Sequence, residues 1–196
     1  VILGWNIKPS ENGADAIECW VVSWGESADF DAFARDVVTK EWLHQSGGKM
    51  KCVCGAMDGR FRSLEVRAFC KEYKNASVVY GEQTIKTRTS TSALPFRATY
   101  IDRDSKGKAL VNSRVGYRIN TVYWKQWLYQ RMNKTGEMAI HHLPSDGNQD
   151  AKQYIRHISS EIEVQERVKG STAVKRVWKV RRGYDQNHWL DATVYG

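Results

Sequence analysis

VILGWNI, residues 1–7, is an apolar run rich in β-forming residues that carries one small polar side chain near its end. Such a run predicts a strand that is buried on both faces. Many α/β proteins place their chemistry at the carboxyl ends of central strands. Asn6 is therefore the first candidate site residue, and its meaning depends on which later residues lie beside it.

The segments that follow the first strand predict an α/β fold. Turn residues at 9–13 lead into a second strand at 16–24, so these two strands form an antiparallel hairpin. Predicted strands at 51–57 and 76–80 flank a helix at 63–73, whose N-cap is Ser63. Because no hairpin turn separates them, we expect these two strands to be parallel.

The remaining segments complete a mixed sheet that is flanked by helices and followed by a C-terminal β-hairpin. The other predicted elements are a helix at 29–43 capped by Asp29 or Asp31, a loop or β-excursion at 82–110, a strand at 115–120, a helix at 122–133, a turn at 141–147, a helix at 150–160, a hairpin of 162–168 and 173–181, and a helix at 185–195.

Length and hydropathy limit the class of protein. A chain of 196 residues can form one complete core, so we expect a single domain over residues 1–196. No apolar run approaches the ~18 residues of a membrane span, and no signal-peptide pattern opens the chain. The chain starts inside a predicted strand without an initiator Met, so we expect a fragment of a longer protein.

The charge balance is basic, with 30 Lys and Arg against 22 Asp and Glu, which gives a net charge of +8. A polyanionic partner such as nucleic acid is one interpretation, and a protein that is basic without such a partner is the other. The candidate DNA-binding residues in and after the last hairpin, and in the middle segment, are Lys169, Lys175, Arg176, Lys179, Arg181, Arg182, Arg88 and Arg97.

Alternation along the last strand predicts which of these residues contact solvent or phosphate. Lys175, Lys179 and Arg181 should share one exposed face, and a packed face should hold Val174, Trp178 and Val180. A solvated edge strand protected by lysines explains the same pattern without DNA.

Two carboxylates stand out by position. Asp58 ends a strand that we expect to pair beside the first one, which would bring Asn6 and Asp58 to one sheet edge. Asp191 lies in the last predicted helix, three residues after His188. Clustered carboxylates suit two divalent metal ions that cleave phosphodiesters, although an Asp before a Gly is also common in turns. Glu18 is either a fourth carboxylate or a core salt-bridge partner.

The His and Cys residues carry weaker signals. His141 and His142 are either ligands or a solvated pair before a turn. Cys52 and Cys54 lack the second Cys or His pair of a zinc site, so we expect buried free thiols in a reducing compartment.

Four segments together resemble the lambda-type branch of the large terminase subunits of tailed phages. They are the opening hairpin GWNIKPSENGADAIECWVVSWG, the strand and helix AMDGRFRSLEVRAFCKEY, the lysine-containing helix VYWKQWLYQRM, and the end of the chain, HHLPSDG with RRGYDQNHWLDATVYG. The family's nuclease domain closes with a similar Asn-x-x-x-Asp-x-x-x-Tyr pattern.

This resemblance implies a ribonuclease H-like endonuclease that cuts concatemeric phage DNA during genome packaging. It implies two divalent ions, Mg²⁺ or Mn²⁺, bound at three acidic positions that fall on Asn6, Asp58 and Asp191. The first position departs from the family, because this sequence has Asn where the family has Asp. His188 or Lys125 would assist near the scissile phosphate. The alternatives are that His188 is a helix-packing residue and that Lys125 is a surface lysine.

The resemblance also implies partners and a location. The partners are double-stranded DNA, an upstream ATPase domain of the same protein, the small terminase subunit and the portal protein, in the host bacterial cytoplasm and without a membrane. Two alternatives remain. A non-catalytic DNA-binding module of the same fold would have Asn6 as the mark of a decayed site, and a resolvase or transposase would use the same carboxylates on different DNA.

Overall fold

The computed structural model describes residues 1–8, 16–44, 46–85, 94–132, 141–143, 149–184 and 186–196. These residues form two compact units. The first unit contains Val1–Trp24 and Thr121–Val194, and the second contains Gly25–Asn120 with Tyr195–Gly196. The single domain over residues 1–196 stays a prediction.

Helices separate runs of one to three strands along the chain. In chain order they are β1 (Ile2–Lys8), β2 (Ala16–Ser23), α1 (Phe30–Phe33), β3 (Glu41–Leu43), β4 (Lys49–Lys51), β5 (Gly55–Asp58), α2 (Ser63–Glu72), β6 (Ala76–Glu82), β7 (Phe96–Tyr100), β8 (Val115–Asn120), α3 (Thr121–Met132), β9 (His141–His142), α4 (Gln149–Ile158), β10 (Glu161–Arg167), β11 (Val174–Val180) and α5 (His188–Tyr195). None of these helices is long and apolar enough to cross a membrane.

The predicted fold class is confirmed. β1 and β2 form the antiparallel hairpin, β5, β6 and β8 are parallel, and β10 with β11 forms the C-terminal hairpin. This arrangement is consistent with a ribonuclease H-like α/β fold. β1 lies in the sheet β1-β2-β9 of the first unit, and β5 lies in the sheet β5-β6-β8-β7 of the second unit. The expected pairing of β1 with the strand that carries Asp58 stays a prediction.

Three local predictions are wrong for identifiable reasons. The helix predicted at 29–43 ends early. Asp29 caps α1 as expected, but α1 continues only as a π-helical turn to Val38. Glu41–Leu43 then form β3, because they pair with β4 in an antiparallel hairpin. The N-cap of α2 is Arg62 in a left-handed conformation, with Ser63 as the first helical residue. The turn predicted at His141 is a short strand, β9, which pairs with β2; residues 144–148 lie outside the described residues.

Cys52 and Cys54 are free thiols as expected, but the prediction that they are buried is wrong. Cys19 and Cys70 are buried free thiols, and burial raises the pKa of Cys19 to about 12. Cys54 is exposed and Cys52 is half-buried. They lie between β4 and β5 and not within a strand, and the Cys52 thiol donates to the Cys54 carbonyl at 3.3 Å.

An aromatic and aliphatic core holds the helices of the first unit. Its buried members are Leu128, Tyr154, Ile158, Trp189 and Leu190, which come from α3, α4 and α5. The Tyr154 hydroxyl also lies 2.9 Å from the Thr193 hydroxyl. Burying side chains of this size stabilises a fold by roughly 1.5–3 kcal/mol each, so this core fixes α3 relative to α5.

The second unit has its own core, which includes Val66, Phe69, Cys70, Val78 and Ile101. One face of α2 packs on β5 and β6.

A close contact fixes the chain where β5 ends at Asp58. The following Gly59 is buried, and its N–H donates to the Val79 carbonyl at 2.8 Å. A Cβ atom at Gly59 would lie 2.7 Å from Tyr80 Cε1 and closer still to Val78 Cγ1. Only glycine lets the chain turn this closely after Asp58.

We expect Gly59→Ala to lower the free energy of unfolding by about 1–3 kcal/mol, because the added methyl overpacks the contact with β6. Urea denaturation followed by Trp fluorescence measures the change. Gly48→Ala is the matched control, because the nearest atom to its Cβ would be Ser46 Oγ at 3.7 Å. Equal losses in the two variants would contradict this account of Gly59.

Candidate functional site

A buried ion-pair cluster joins α3, β10 and α5 in the first unit. The Lys125 ammonium lies 2.8 Å from Glu161 Oε2 and 3.0 Å from Asp191 Oδ1. Asn187, directly before α5, donates through Nδ2 to Glu161 Oε1 at 2.6 Å and to Asp191 Oδ2 at 3.3 Å. Each polar side chain of this cluster therefore contacts at least two others.

The members of the cluster differ in their exposure to solvent. Lys125 is 6% exposed and Glu161 is 4% exposed. The Asp191 side chain is 35% exposed. Since a buried charge is tolerated only when it is paired and hydrogen-bonded, Lys125 and Glu161 depend on each other, whereas Asp191 can also meet a solvent-borne ligand.

Contacts between α3 and the C-terminal hairpin place Lys125 beside Glu161. The amide of Gln126 donates to the Glu163 carboxylate, and the Tyr129 ring stacks on Trp178 with centroids 4.8 Å apart. The Tyr129 hydroxyl donates to the Ile158 carbonyl, and burial raises the pKa of Tyr129 to about 12. These contacts fix the side of α3 that carries Lys125.

Asp58 belongs to the second unit and ends β5, as predicted. It is exposed, and its Oδ1 accepts a hydrogen bond from the Arg60 N–H at 2.9 Å. Asn6 lies in β1, in register with Glu18 of β2, and Glu18 is 6% exposed. The convergence of Asn6, Asp58 and Asp191 on one site stays a prediction.

His188 and Lys125 differ in their exposure to solvent and in their contacts. His188 is the exposed first residue of α5, and its ring centroid lies 6.5 Å from that of the buried His157. His157 in turn stacks on Trp189 at 4.4 Å. Lys125 is not a surface lysine, because it is buried and paired with Asp191.

Some basic residues in and near the C-terminal hairpin form ion pairs, and others do not. Lys179 and Lys175 lie 2.5 Å and 3.9 Å from the Glu166 carboxylate, and Arg176 lies 3.6 Å from Glu163. The exposed residues Lys169, Arg181 and Arg182 have no ion pair within the described residues. Arg97 is exposed on β7, and Arg88 lies outside the described residues.

The predicted packed face of β11 is wrong in two of its three members. Val174 and Val180 are exposed, and the buried residue of this strand is Val177, which shares the opposite face with Lys175 and Lys179. Trp178 is half-buried through its stacking on Tyr129. Alternation gave the two faces correctly, but not which of them is covered.

Sequence reasoning missed Glu161 and Asn187. The predicted strand began one residue after Glu161, at residue 162, so this glutamate fell between two elements. Asn187 stands four residues before Asp191 in the quoted Asn-x-x-x-Asp-x-x-x-Tyr pattern. Residues four apart share one side of a helix, so this spacing could have identified Asn187 as a partner of Asp191.

Comparison with protein families identifies the chain. The model of a family described as terminase large subunit gpA, endonuclease domain, matches residues 13–196. The chain belongs to this family. Lys125, Glu161, Asn187 and Asp191 lie within the matched residues, and Asn6 lies outside them. No curated protein and no solved structure matches the chain.

Membership in the terminase endonuclease family confirms the predicted resemblance and indicates a nuclease role in DNA packaging. Among the described residues, no group of three or more His, Cys, Asp and Glu side chains is arranged to hold a metal ion. The described cluster is instead one ammonium between two carboxylates, and Asp191 is its partly exposed member.

Replacing Lys125 should destabilise the protein strongly. We expect Lys125→Met to lower the free energy of unfolding by about 3–5 kcal/mol, because Glu161 is left as a buried charge without its cation. Lys169→Met, at an exposed lysine in the turn between β10 and β11, is the control, with an expected change within about 0.5 kcal/mol. Chemical denaturation measures both, and a small loss for Lys125→Met would show that the pair is not a buried structural contact.

Proposed function

We propose that the chain is a metal-dependent DNA endonuclease domain that cuts concatemeric viral DNA during genome packaging. The observation that carries this proposal is a partly exposed carboxylate, Asp191, beside a buried lysine in a member of the terminase endonuclease family. The net charge of +8 favours a DNA substrate. The proposed partners are double-stranded DNA, an upstream ATPase domain, the small terminase subunit and the portal protein, in the cytoplasm of the bacterial host.

The donor chemistry of the candidate residues fits Mg²⁺ or Mn²⁺. Hard divalent cations prefer carboxylate oxygens, and Asp58 and Asp191 offer such oxygens on partly or fully exposed side chains. In our proposal, Asp58, Asp191 and the residue at position 6 hold two ions. Bound ions would supply the positive charge that activates water and stabilises the leaving oxygen in phosphodiester hydrolysis.

The chain's own residues would orient the DNA and balance charge around these ligands. Lys125 offsets part of the negative charge of Asp191 and Glu161, so that the carboxylates can lie together. The exposed basic residues after the C-terminal hairpin, Arg181 and Arg182, with Lys169 in its turn, would contact phosphates. Lys175 and Lys179 would contribute less, because both pair with Glu166.

Asn6 supports a second candidate, a DNA-binding module without cleavage. Asn is close to Asp in shape, but it is neutral and offers a metal ion only one carbonyl oxygen. The loss of one charge weakens a site that concentrates two dications. In this alternative, the chain binds DNA through the same basic residues and neither form of residue 6 cleaves it.

We expect Asn6→Asp to raise Mn²⁺-dependent nicking of supercoiled plasmid by tenfold or more, on the order of the effect of a lost metal-site contact. Asp191→Asn and Asp58→Asn, each placed in the Asn6→Asp background, should abolish the gain. Asp36→Asn, at an exposed carboxylate that pairs with Arg35, is the control and should keep it. Equal nicking by the unsubstituted protein and by the Asn6→Asp variant would show that residue 6 is not part of the metal site. DNA binding without cleavage in either form would favour the binding module.

Exposed and paired cations should differ in DNA binding. We expect Arg182→Ala to weaken binding of a duplex and to reduce the slope of log K against log salt by about 0.9, the value for one lost phosphate contact. Lys179→Ala should change the slope less, because Glu166 already neutralises this lysine. Fluorescence anisotropy at several salt concentrations measures both slopes. The DNA path proposed here is wrong if the two substitutions have the same effect.

A further inference from the structure

Glu161 is the carboxylate in the cluster that the proposed chemistry leaves without a role. It is the first residue of β10, and it is 4% exposed. Its two oxygens are both engaged, Oε2 by Lys125 at 2.8 Å and Oε1 by Asn187 at 2.6 Å. Asp191 has the same two partners but a side chain that is 35% exposed. The two carboxylates therefore have different tasks.

Burial and hydrogen bonding make Glu161 a poor metal ligand. A divalent ion at Glu161 would have to displace either an ammonium or an amide and would gain little access to the water that completes its coordination shell. Asp191 can add a metal on its exposed side without losing its place in the cluster. Among the described residues of this cluster, Asp191 therefore suits a metal-ligand role better than Glu161 does.

The charge of Glu161 decides how strongly Lys125 competes with a metal for Asp191. With Glu161 present, one ammonium is shared by two carboxylates, so the cluster keeps a net charge of −1 and attracts a cation. If Glu161 were neutral, Lys125 would be balanced by Asp191 alone. A metal ion near Asp191 would then meet a Lys125–Asp191 pair with no net charge. The Lys125 ammonium would repel the ion, and no second carboxylate would offset that repulsion.

Asn187 completes the arrangement by orienting both acids. An amide nitrogen has two N–H donors, and those of Asn187 are directed to Glu161 Oε1 and Asp191 Oδ2. The Asn187 backbone carbonyl also accepts the Asp191 N–H at 3.1 Å, which anchors the first turn of α5. Asn187, directly before α5, thus orients the Asp191 carboxylate, and Glu161 of β10 holds Lys125.

We propose that Glu161 is a positioning residue that holds Lys125 away from full pairing with Asp191 and so keeps Asp191 available to a divalent ion. This inference rests on the function proposed above, because it concerns metal binding at Asp191. It adds a residue that is neither a ligand nor a DNA contact, and it assigns the buried lysine to the tuning of metal affinity.

Mn²⁺ binding to the Asn6→Asp protein tests this inference without any cleavage assay. The electron paramagnetic resonance signal of free Mn²⁺ reports the bound fraction during a titration, and thermal unfolding of each variant confirms that it is folded. We expect Glu161→Gln, which keeps the shape and removes the charge, to raise the half-saturating Mn²⁺ concentration by roughly tenfold or more. Glu166→Gln, further along β10 at a carboxylate that pairs with Lys175 and Lys179, is the matched control and should leave it unchanged.

The double variant Lys125→Met with Glu161→Gln separates positioning from folding. It removes both buried charges, so it should fold better than Lys125→Met alone, and it should recover Mn²⁺ binding because Asp191 no longer faces an ammonium. Unchanged Mn²⁺ affinity in Glu161→Gln, with a loss of melting temperature only, would overturn the positioning role and leave the proposed function standing. No Mn²⁺ binding by the Asn6→Asp protein itself would overturn the proposed function, and this inference with it.

Discussion

The first unit depends on one buried ion pair, that of Lys125 with Glu161. Neither charge is stable in a protein interior without the other, so α3 and the start of β10 must meet at this point. Tyr129 and Trp178 stack along the same interface, and the Tyr154, Ile158 and Leu190 core holds α5 beside it. Asp191 is thereby fixed at the edge of the cluster, where it reaches solvent.

In the function proposed above, this arrangement gives the two carboxylates different tasks. Glu161 is enclosed and sets the position of a cation, whereas Asp191 is partly open and suits a ligand role. The separation follows from burial, because the two acids have the same two partners. A list of acidic residues could not have distinguished them.

Much of the fold could be predicted from local patterns. Alternation and turn residues identified the two hairpins, and the order of strand, helix and strand identified the parallel pair β5 and β6. The failures have physical causes. By composition, residues 39–43 could either end a helix or form a strand. The two residues of β9 form a strand only because they pair with β2. Glu161 was missed because its role depends on Lys125, which is 36 residues away in the chain.

The most direct test of this account is the anomalous scattering of Mn²⁺ in crystals of the Asn6→Asp protein. We expect a Mn²⁺ peak at the Asp191 carboxylate, with Asp58 and residue 6 as further ligands and with Glu161 still bonded to Lys125. A peak on Glu161, or Mn²⁺ bound without Asp191, would contradict it.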